Sequence, residues 1–261
     1  MLREYGISDP RWNAERLLLI ASKLDRAKLF ADLKTNLNEF EENSYRTMLA
    51  RRALHYPLAY LEGVQEFYGR EFQVDESVLI PRPETEEIIR AVLKLSLPSS
   101  PRILDIGGGS GAIAVTIAEE LPGAKVTALE ISSSAMKILS KNAQGKVSLI
   151  RGDLYHLPFK NEAFDVITSN PPYVELAEFN FLPAETRWEP REALVAPNDV
   201  YPVLLEKTSL VLKPKGYLVF EIGFNQRAKI QELCIQSVNF ELIEIRSDHQ
   251  QIPRTFVLAK K

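Results

Sequence analysis

The chain has 261 residues, 45% hydrophobic and 26% charged, with a net charge of −3 and a pI near 5.8. That length suits one large α/β domain plus a small accessory one, and the charge supplies no whole-molecule field for holding DNA. A single cysteine, Cys234, excludes an intrachain disulfide, and the scattered His55, His156 and His249 offer no metal-ligand spacing, so no metal site is expected.

The N-terminus, Met1-Leu2-Arg3-Glu4-Tyr5, lacks an apolar signal core, and no stretch reaches bilayer length, which points to a cytoplasmic protein. Asp9-Pro10 reads as an N-cap followed by proline at the first helical position, with Trp12, Leu17 to Ile20 and Leu24 as the apolar side. A second helix is expected from Leu37 to Leu54, ended by Tyr56-Pro57, so residues 1–58 form a small helical domain. Residues 59–80 are a β-hairpin linker: Val64 to Tyr68 and Glu71 to Val74 are β-prone runs around Gly69-Arg70. In Leu79-Ile80-Pro81-Arg82-Pro83-Glu84-Thr85-Glu86 the prolines enforce an extended turn before a helix through Leu95.

From there to the end, 81–261, strands and helices alternate. Strands are expected at Arg102–Ile106, Lys125–Glu130, Val147–Arg151, Phe164–Ser169 and Tyr217–Glu221, with helices at Ala112–Glu120, Ser132–Asn142 and up to Leu212. This alternation means a mostly parallel, Rossmann-like sheet covered on both faces. Leu242–Arg246 and Thr255–Ala259 have no long helix between them and suit an antiparallel C-terminal hairpin at the sheet edge. The loop from Asn170 to Asp199 is long enough to be functional.

Ile103-Leu104-Asp105-Ile106-Gly107-Gly108-Gly109-Ser110-Gly111-Ala112 is a strand, a glycine turn and a helix start. With Glu130 at the end of the next strand it suits NAD, FAD or S-adenosylmethionine, since each carries an adenosine that needs close backbone approach and an acidic ribose partner. Two acidic positions favour S-adenosylmethionine. Asp105 would meet a positively charged methionine end and repel a pyrophosphate, and Asp153, after the third strand, would accept from an adenine amino group.

Asn170-Pro171-Pro172-Tyr173 closes the fourth strand. Each proline lacks an N–H, so backbone carbonyls stay free there, and with the Asn170 side-chain oxygen they can accept both hydrogens of an NH2 group, with Tyr173 as a flat face beside it. Gly107–Gly111, Glu130, Asp153 and Asn170 all fall at carboxyl ends of strands, where ligands of such sheets bind. The reaction inferred is methyl transfer from S-adenosylmethionine to a planar nitrogen.

The glycine turn with Asn170-Pro171-Pro172-Tyr173 resembles the amino-methyltransferases of adenine, guanine or glutamine amide nitrogens. Leu79 to Glu86, Tyr60-Leu61-x-Gly63, Glu66-Phe67-x-Gly69, Glu189-Pro190-x-x-Ala193-Leu194 and Glu221-Ile222-Gly223-x-x-Gln226 make the chain similar, in order and over most of its length, to the peptide chain release factor glutamine methyltransferases (HemK/PrmC family). The resemblance implies N5-methylation of the glutamine in a release factor's Gly-Gly-Gln motif, S-adenosylhomocysteine as product, and an N-terminal domain that grips the factor. It implies that Gly107, Gly108, Gly109, Ser110 and Gly111 hold the methionine part, Glu130 the ribose, and Asp153 with Leu154 the adenine. Asn170, Pro171, Pro172 and Tyr173 would hold the glutamine, and Arg82 and Thr85 match a segment lying over the cofactor. The chain departs from the family at Val195–Val200 and Asp248–Arg254, where the usual glycines are missing, which bears on docking and loop geometry. Rival readings are a methyltransferase of an exocyclic base nitrogen in RNA or DNA, a non-catalytic binding module, and a nicotinamide oxidoreductase. A monomer without direct nucleic-acid binding is expected.

Overall fold

The computed structural model describes residues 1–31, 36–197 and 200–261. Helix α1 (Pro10–Ser22) begins at the expected proline, but Asp9 does not cap it. With φ 46° Asp9 makes no side-chain cap bond; Asn13 Nδ2 instead donates to the Ser8 carbonyl at 2.9 Å and the Asp9 carbonyl at 3.2 Å. The buried face is Asn13, Leu17 and Ala21, and Trp12 is largely exposed. After α2 (Arg26–Ala31), α3 (Glu39–Ala53) starts two residues later than expected, because Asn38 and Glu41 form a reciprocal capping box with two bonds of 2.9 Å. α1 packs on α3 and on α4 (Leu58–Glu62), around Leu2, Ile7 and Ala53.

Strands β1 (Val64–Phe67) and β2 (Arg70–Gln73) form the expected hairpin, but its turn is Tyr68-Gly69, one residue earlier than Gly69-Arg70, because Tyr68 and Gly69 both take positive φ and Arg70 pairs with Phe67. Phe67 and Phe72 meet edge to face and sink into the same core as Ile88, Ile113 and Ile117. The hairpin therefore packs on the main body. α5 (Glu86–Val92) follows a single 3-10 turn.

The main body is β3 (Arg102–Ile106), α6 (Ala112–Glu120), β4 (Lys125–Glu130), α7 (Ala135–Ala143), β5 (Ser148–Arg151) and β6 (Phe164–Ser169). Then come α8 (Arg191–Leu194), α9 (Val200–Val211), β7 (Leu212–Glu221), α10 (Arg227–Gln236), β8 (Phe240–Ser247) and β9 (Pro253–Lys260). The sheet order is β5-β4-β3-β6-β7-β9-β8, parallel through β7, with β9 antiparallel to both its neighbours. The C-terminal hairpin lies at the edge as expected, and its second strand is the inner one. β7 starts earlier than expected, across an irregularity opposite Phe164 to Val166. α7 starts later than Ser132, because the Ser132 N–H is drawn to Glu130 Oε1 at 2.8 Å.

β3, β4 and β5 run outward on one side and β6 returns on the other, so the order reverses between β3 and β6, which is where such sheets open a crevice. Two polar pins lock those strand ends together: Thr168 Oγ1 donates to Asp105 Oδ1 at 2.8 Å, and Ser169 Oγ to the Ile106 carbonyl at 2.9 Å. The loop after β6 holds two 3-10 turns and α8; Asn198 and Asp199, part of the departure at 195–200, lie outside the described residues. The other departure is the β8–β9 turn. There Asp248 accepts from the Gln250 and Ile252 N–H groups and from Arg254 Nε, and Gln251 takes a left-handed φ of 63°, a conformation glycine adopts without strain. Among the described residues no helix is long and apolar enough to cross a membrane.

Candidate active site

At the reversal point lies a cleft of about 380 Å³, within the range of small-molecule sites. Its lining includes Gly107, Gly108, Gly109 and Ser110 of the glycine turn, Glu130, Asp153 and Leu154 after the next two strands, Asn170, Pro171 and Pro172 after β6, and Arg82 and Thr85 of the proline segment. Twelve of the residues singled out in the sequence thus share one cavity. Asp105, Gly111 and Tyr173 do not line it. Asp105 lies beneath the turn, fully buried; Gly111 opens α6 with φ 88°; and the Tyr173 hydroxyl is directed to Glu221.

Glu130 is held by backbone donors at both oxygens. Gly109 N–H donates to Oε2 and Ser132 N–H to Oε1, each at 2.8 Å. Such a carboxylate keeps lone pairs for a diol, since each oxygen accepts more than one hydrogen bond. Gly109 reaches it from a φ of 53°, the left-handed region where a side chain is strained. Asp153 Oδ1 accepts from the Tyr155 N–H at 3.0 Å, which orients it at the cleft wall.

Asp105 carries the main electrostatic feature. Its Oδ2 is buried with no hydrogen-bond partner, while Thr168 satisfies Oδ1. Burial pushes its carboxyl up to about 7, against the pull of the Thr168 hydroxyl and the nearby Ala114 N–H and with the Glu130 charge adding to the rise. A negative charge under the glycine turn favours a cation above it and disfavours a pyrophosphate. The residues present therefore fit S-adenosylmethionine, and the fit rests on that orphaned oxygen together with the twin donors on Glu130.

On the opposite wall Asn170 Nδ2 donates to Thr85 Oγ1 at 3.0 Å, and Thr85 Oγ1 donates to Glu221 Oε2 at 2.6 Å. Tyr173 donates from its hydroxyl to Glu221 Oε1 at 3.3 Å, and Gln226 Nε2 donates to the Tyr173 carbonyl at 2.9 Å. Glu221 is 1% exposed, and burial raises its carboxyl to about 7 against the pull of Thr85 and Arg254. Burial also raises the Tyr173 phenol, helped by the Glu221 charge. Glu221 and Gln226 stand in the sequence as motif residues with no role attached. The signal for Glu221 is its position, an acid closing an apolar strand at the same sheet edge as Asp105, Glu130 and Asn170.

The loop wall is built by buried Glu189, which accepts from the Ile80 N–H at 3.0 Å and pairs with Arg82. Pro190, Ala193 and Val195 then face the cleft.

A reversing parallel sheet, a glycine turn over a buried acid and a second acid closing the next strand define a Rossmann-like, S-adenosylmethionine-dependent methyltransferase. Residues 103–182 match the family model described as a methyltransferase domain, and residues 1–63 the PrmC N-terminal domain. The fold is shared with the PH0226 protein from Pyrococcus horikoshii OT3, at a TM-score of 0.51 and 14% identity over 67% of this chain and 89% of that one. The release factor glutamine methyltransferase of Koribacter versatilis (strain Ellin345) is 38% identical over 260 residues, 96% of this chain and 91% of the relative. That of Geobacter sulfurreducens (strain ATCC 51573 / DSM 12127 / PCA) is 40% identical over 232 residues, 86% of this chain and 81% of the relative. The chain belongs to the release factor glutamine methyltransferase family.

Proposed function

We infer that the protein transfers a methyl group from S-adenosylmethionine to the side-chain amide nitrogen (N5) of the glutamine in the Gly-Gly-Gln motif of a peptide chain release factor. The observation that carries the site reading is the pairing of Asn170 with Thr85. It directs one Asn170 N–H to Thr85 and leaves Oδ1 as an acceptor in a cleft that also holds the glycine turn.

Bound S-adenosylmethionine supplies an electrophilic methyl group on a sulfonium. Asp105, beneath the turn, favours that positive charge, and Glu130 takes the ribose hydroxyls. Asp153 and Leu154 border the adenine. Asn170 Oδ1 and the Pro171 carbonyl accept the two N–H groups of the substrate amide and fix its plane, so the nitrogen approaches in line. The same two oxygens stabilise positive charge growing on that nitrogen as the N–C bond forms and the C–S bond breaks. Neither is a base; the proton leaves afterwards to water, once methylation has made the nitrogen acidic. Pro172 excludes water from this side, and Tyr173 anchors the end of the turn.

The helices of residues 1–58 are assigned to gripping the factor, residues 59–80 to joining them to the catalytic body of residues 81–261. The protein is taken to act as a cytoplasmic monomer without direct nucleic-acid binding. The acidic pI and the name carried by the relatives support a protein substrate over RNA or DNA.

The test is incubation with labelled S-adenosylmethionine, a purified release factor and total RNA as competing acceptor, followed by peptide mass spectrometry. Methyl on the Gly-Gly-Gln glutamine is expected; label confined to RNA would overturn the substrate while leaving the cofactor assignment intact.

A further inference from the structure

Thr85 lies among the cleft residues, yet its hydroxyl is committed elsewhere. Above about pH 7 the Glu221 carboxyl is ionised and can only accept, so there the single Thr85 hydroxyl hydrogen goes to Glu221 Oε2 at 2.6 Å. Thr85 Oγ1 is then an acceptor toward Asn170, and the group facing it at 3.0 Å must be the NH2 end of the amide. Flipping Asn170 would set its oxygen against the Thr85 oxygen. The Thr85 hydrogen would have to turn away from Glu221, leaving a fully buried carboxylate oxygen short of a partner, which is costly. The flipped amide would also present N–H donors to the cleft, where a substrate NH2 needs acceptors.

We propose that Thr85, oriented by Glu221, is the positioning residue that fixes which end of the Asn170 side-chain amide faces the substrate nitrogen. The same carboxylate holds the other end of the turn, through the Tyr173 hydroxyl at 3.3 Å. Residues far apart in sequence are joined in this way, with Asn170 85 positions from Thr85 and Thr85 136 from Glu221. The proposal rests on the reading of Asn170 as the amide-holding residue, and the test separates the two.

Single-turnover methylation of a release factor is measured for Thr85→Val, Thr85→Ser, Asn170→Ala and the Asn170→Ala/Thr85→Val double variant, with S-adenosylmethionine affinity by calorimetry. Removing a group that contacts the reacting centre slows chemistry about 10²–10³-fold, and removing one that only orients it should cost less, about 10- to 100-fold. The expectation is that Thr85→Val slows transfer in that range with cofactor affinity unchanged within about twofold. Thr85→Ser should recover most of the rate, and the double variant should be no slower than Asn170→Ala, because a residue acting through Asn170 has nothing further to lose. Wild-type transfer by Thr85→Val, equal damage from Val and Ser, or multiplying losses in the double variant would overturn the proposal. Wild-type transfer by Asn170→Ala would instead remove the reading beneath it. Should Thr85→Val give no cooperative melt, the orientation is read in the wild type by NMR. One Asn170 amide proton should exchange slowly, its resonance identified by its loss in Asn170→Ala, and two freely exchanging protons would overturn the proposal.

Discussion

Asp105→Asn should make the unliganded protein more stable above neutral pH while weakening its hold on the cofactor. Burial raises the Asp105 carboxyl from 3.8 to about 7. At about 1.4 kcal/mol for each pH unit, that rise corresponds to about 4 kcal/mol for keeping the charge inside the fold. Between pH 4 and 7 the native protein binds a proton at this site that the unfolded chain has released. Stability therefore falls as pH rises through that window, and the full cost is present above about pH 7. Asparagine can still accept from Thr168, but it places amide hydrogens where Oδ2 has no partner, a loss of about 1–3 kcal/mol. The net gain at pH 8.5 is about 1–3 kcal/mol, which for a chain of this size raises Tm by about 2–12 °C. At pH 5, where aspartic acid is itself neutral, the gain should vanish or reverse. Calorimetric scans at both pH values check this, and titrations with S-adenosylmethionine and with S-adenosylhomocysteine, which lacks the sulfonium charge, check the second half. A variant no more stable at pH 8.5 than at pH 5, relative to wild type, would refute the burial argument. An equal loss of affinity for both ligands would refute the charge argument.

Gly111→Ala combines a φ of 88° with a new Cβ that would lie 2.6 Å from Leu139 Cδ1. Backbone strain and overpacking together should cost about 2–4 kcal/mol in urea unfolding, and a midpoint within error of wild type would count against it. Arg52→Leu removes bonds from a buried guanidinium to Asn13 Oδ1 (2.7 Å), the Tyr56 carbonyl (3.1 Å) and Glu185 Oε2 (3.0 Å). It should destabilise the helical layer by about 2–3 kcal/mol through the acceptors left unmet, and should speed tryptic cleavage after Arg187. Unaltered cleavage kinetics would mean that Arg52 does not restrain the loop.

What the sequence makes legible here follows from periodicity and punctuation. Alternating strands and helices put Gly107, Glu130, Asp153 and Asn170 at one edge before any coordinates are known, and the cleft holds all four. Element starts are less readable where a side chain captures a backbone N–H. Asn38 with Glu41 delays α3, and Glu130 delays α7. Depth is harder still. Asp105 reads as an acid beside a turn, but its full burial depends on β6 and on Thr168, 63 residues away. Tyr173 reads as a face for the substrate, whereas Glu221, 48 residues on, draws its hydroxyl inward. These outcomes depend on partners that only the closed sheet brings together.

The wall of the cleft shows how an irregular loop is given a fixed shape. Two of its anchors reach the helical layer: Glu185 pairs with Arg52, and Trp188 Nε1 donates to the Leu54 carbonyl at 3.2 Å. The third reaches the proline segment, where Glu189 takes the Ile80 N–H and the Arg82 guanidinium. Burial pushes the Glu189 carboxyl upward and Arg82 opposes the shift, so the charge is tolerable only while Arg82 stays in place. Because Glu185, Trp188 and Glu189 are separated by few residues, their anchors fix both the direction and the height at which the chain enters α8. Pro190, Ala193 and Val195 line the cleft for that reason. The residues that fix them are Arg52, Leu54, Ile80 and Arg82, all from the first third of the chain. The helical layer thus contributes to the shape of the cleft wall through Arg52 and Leu54.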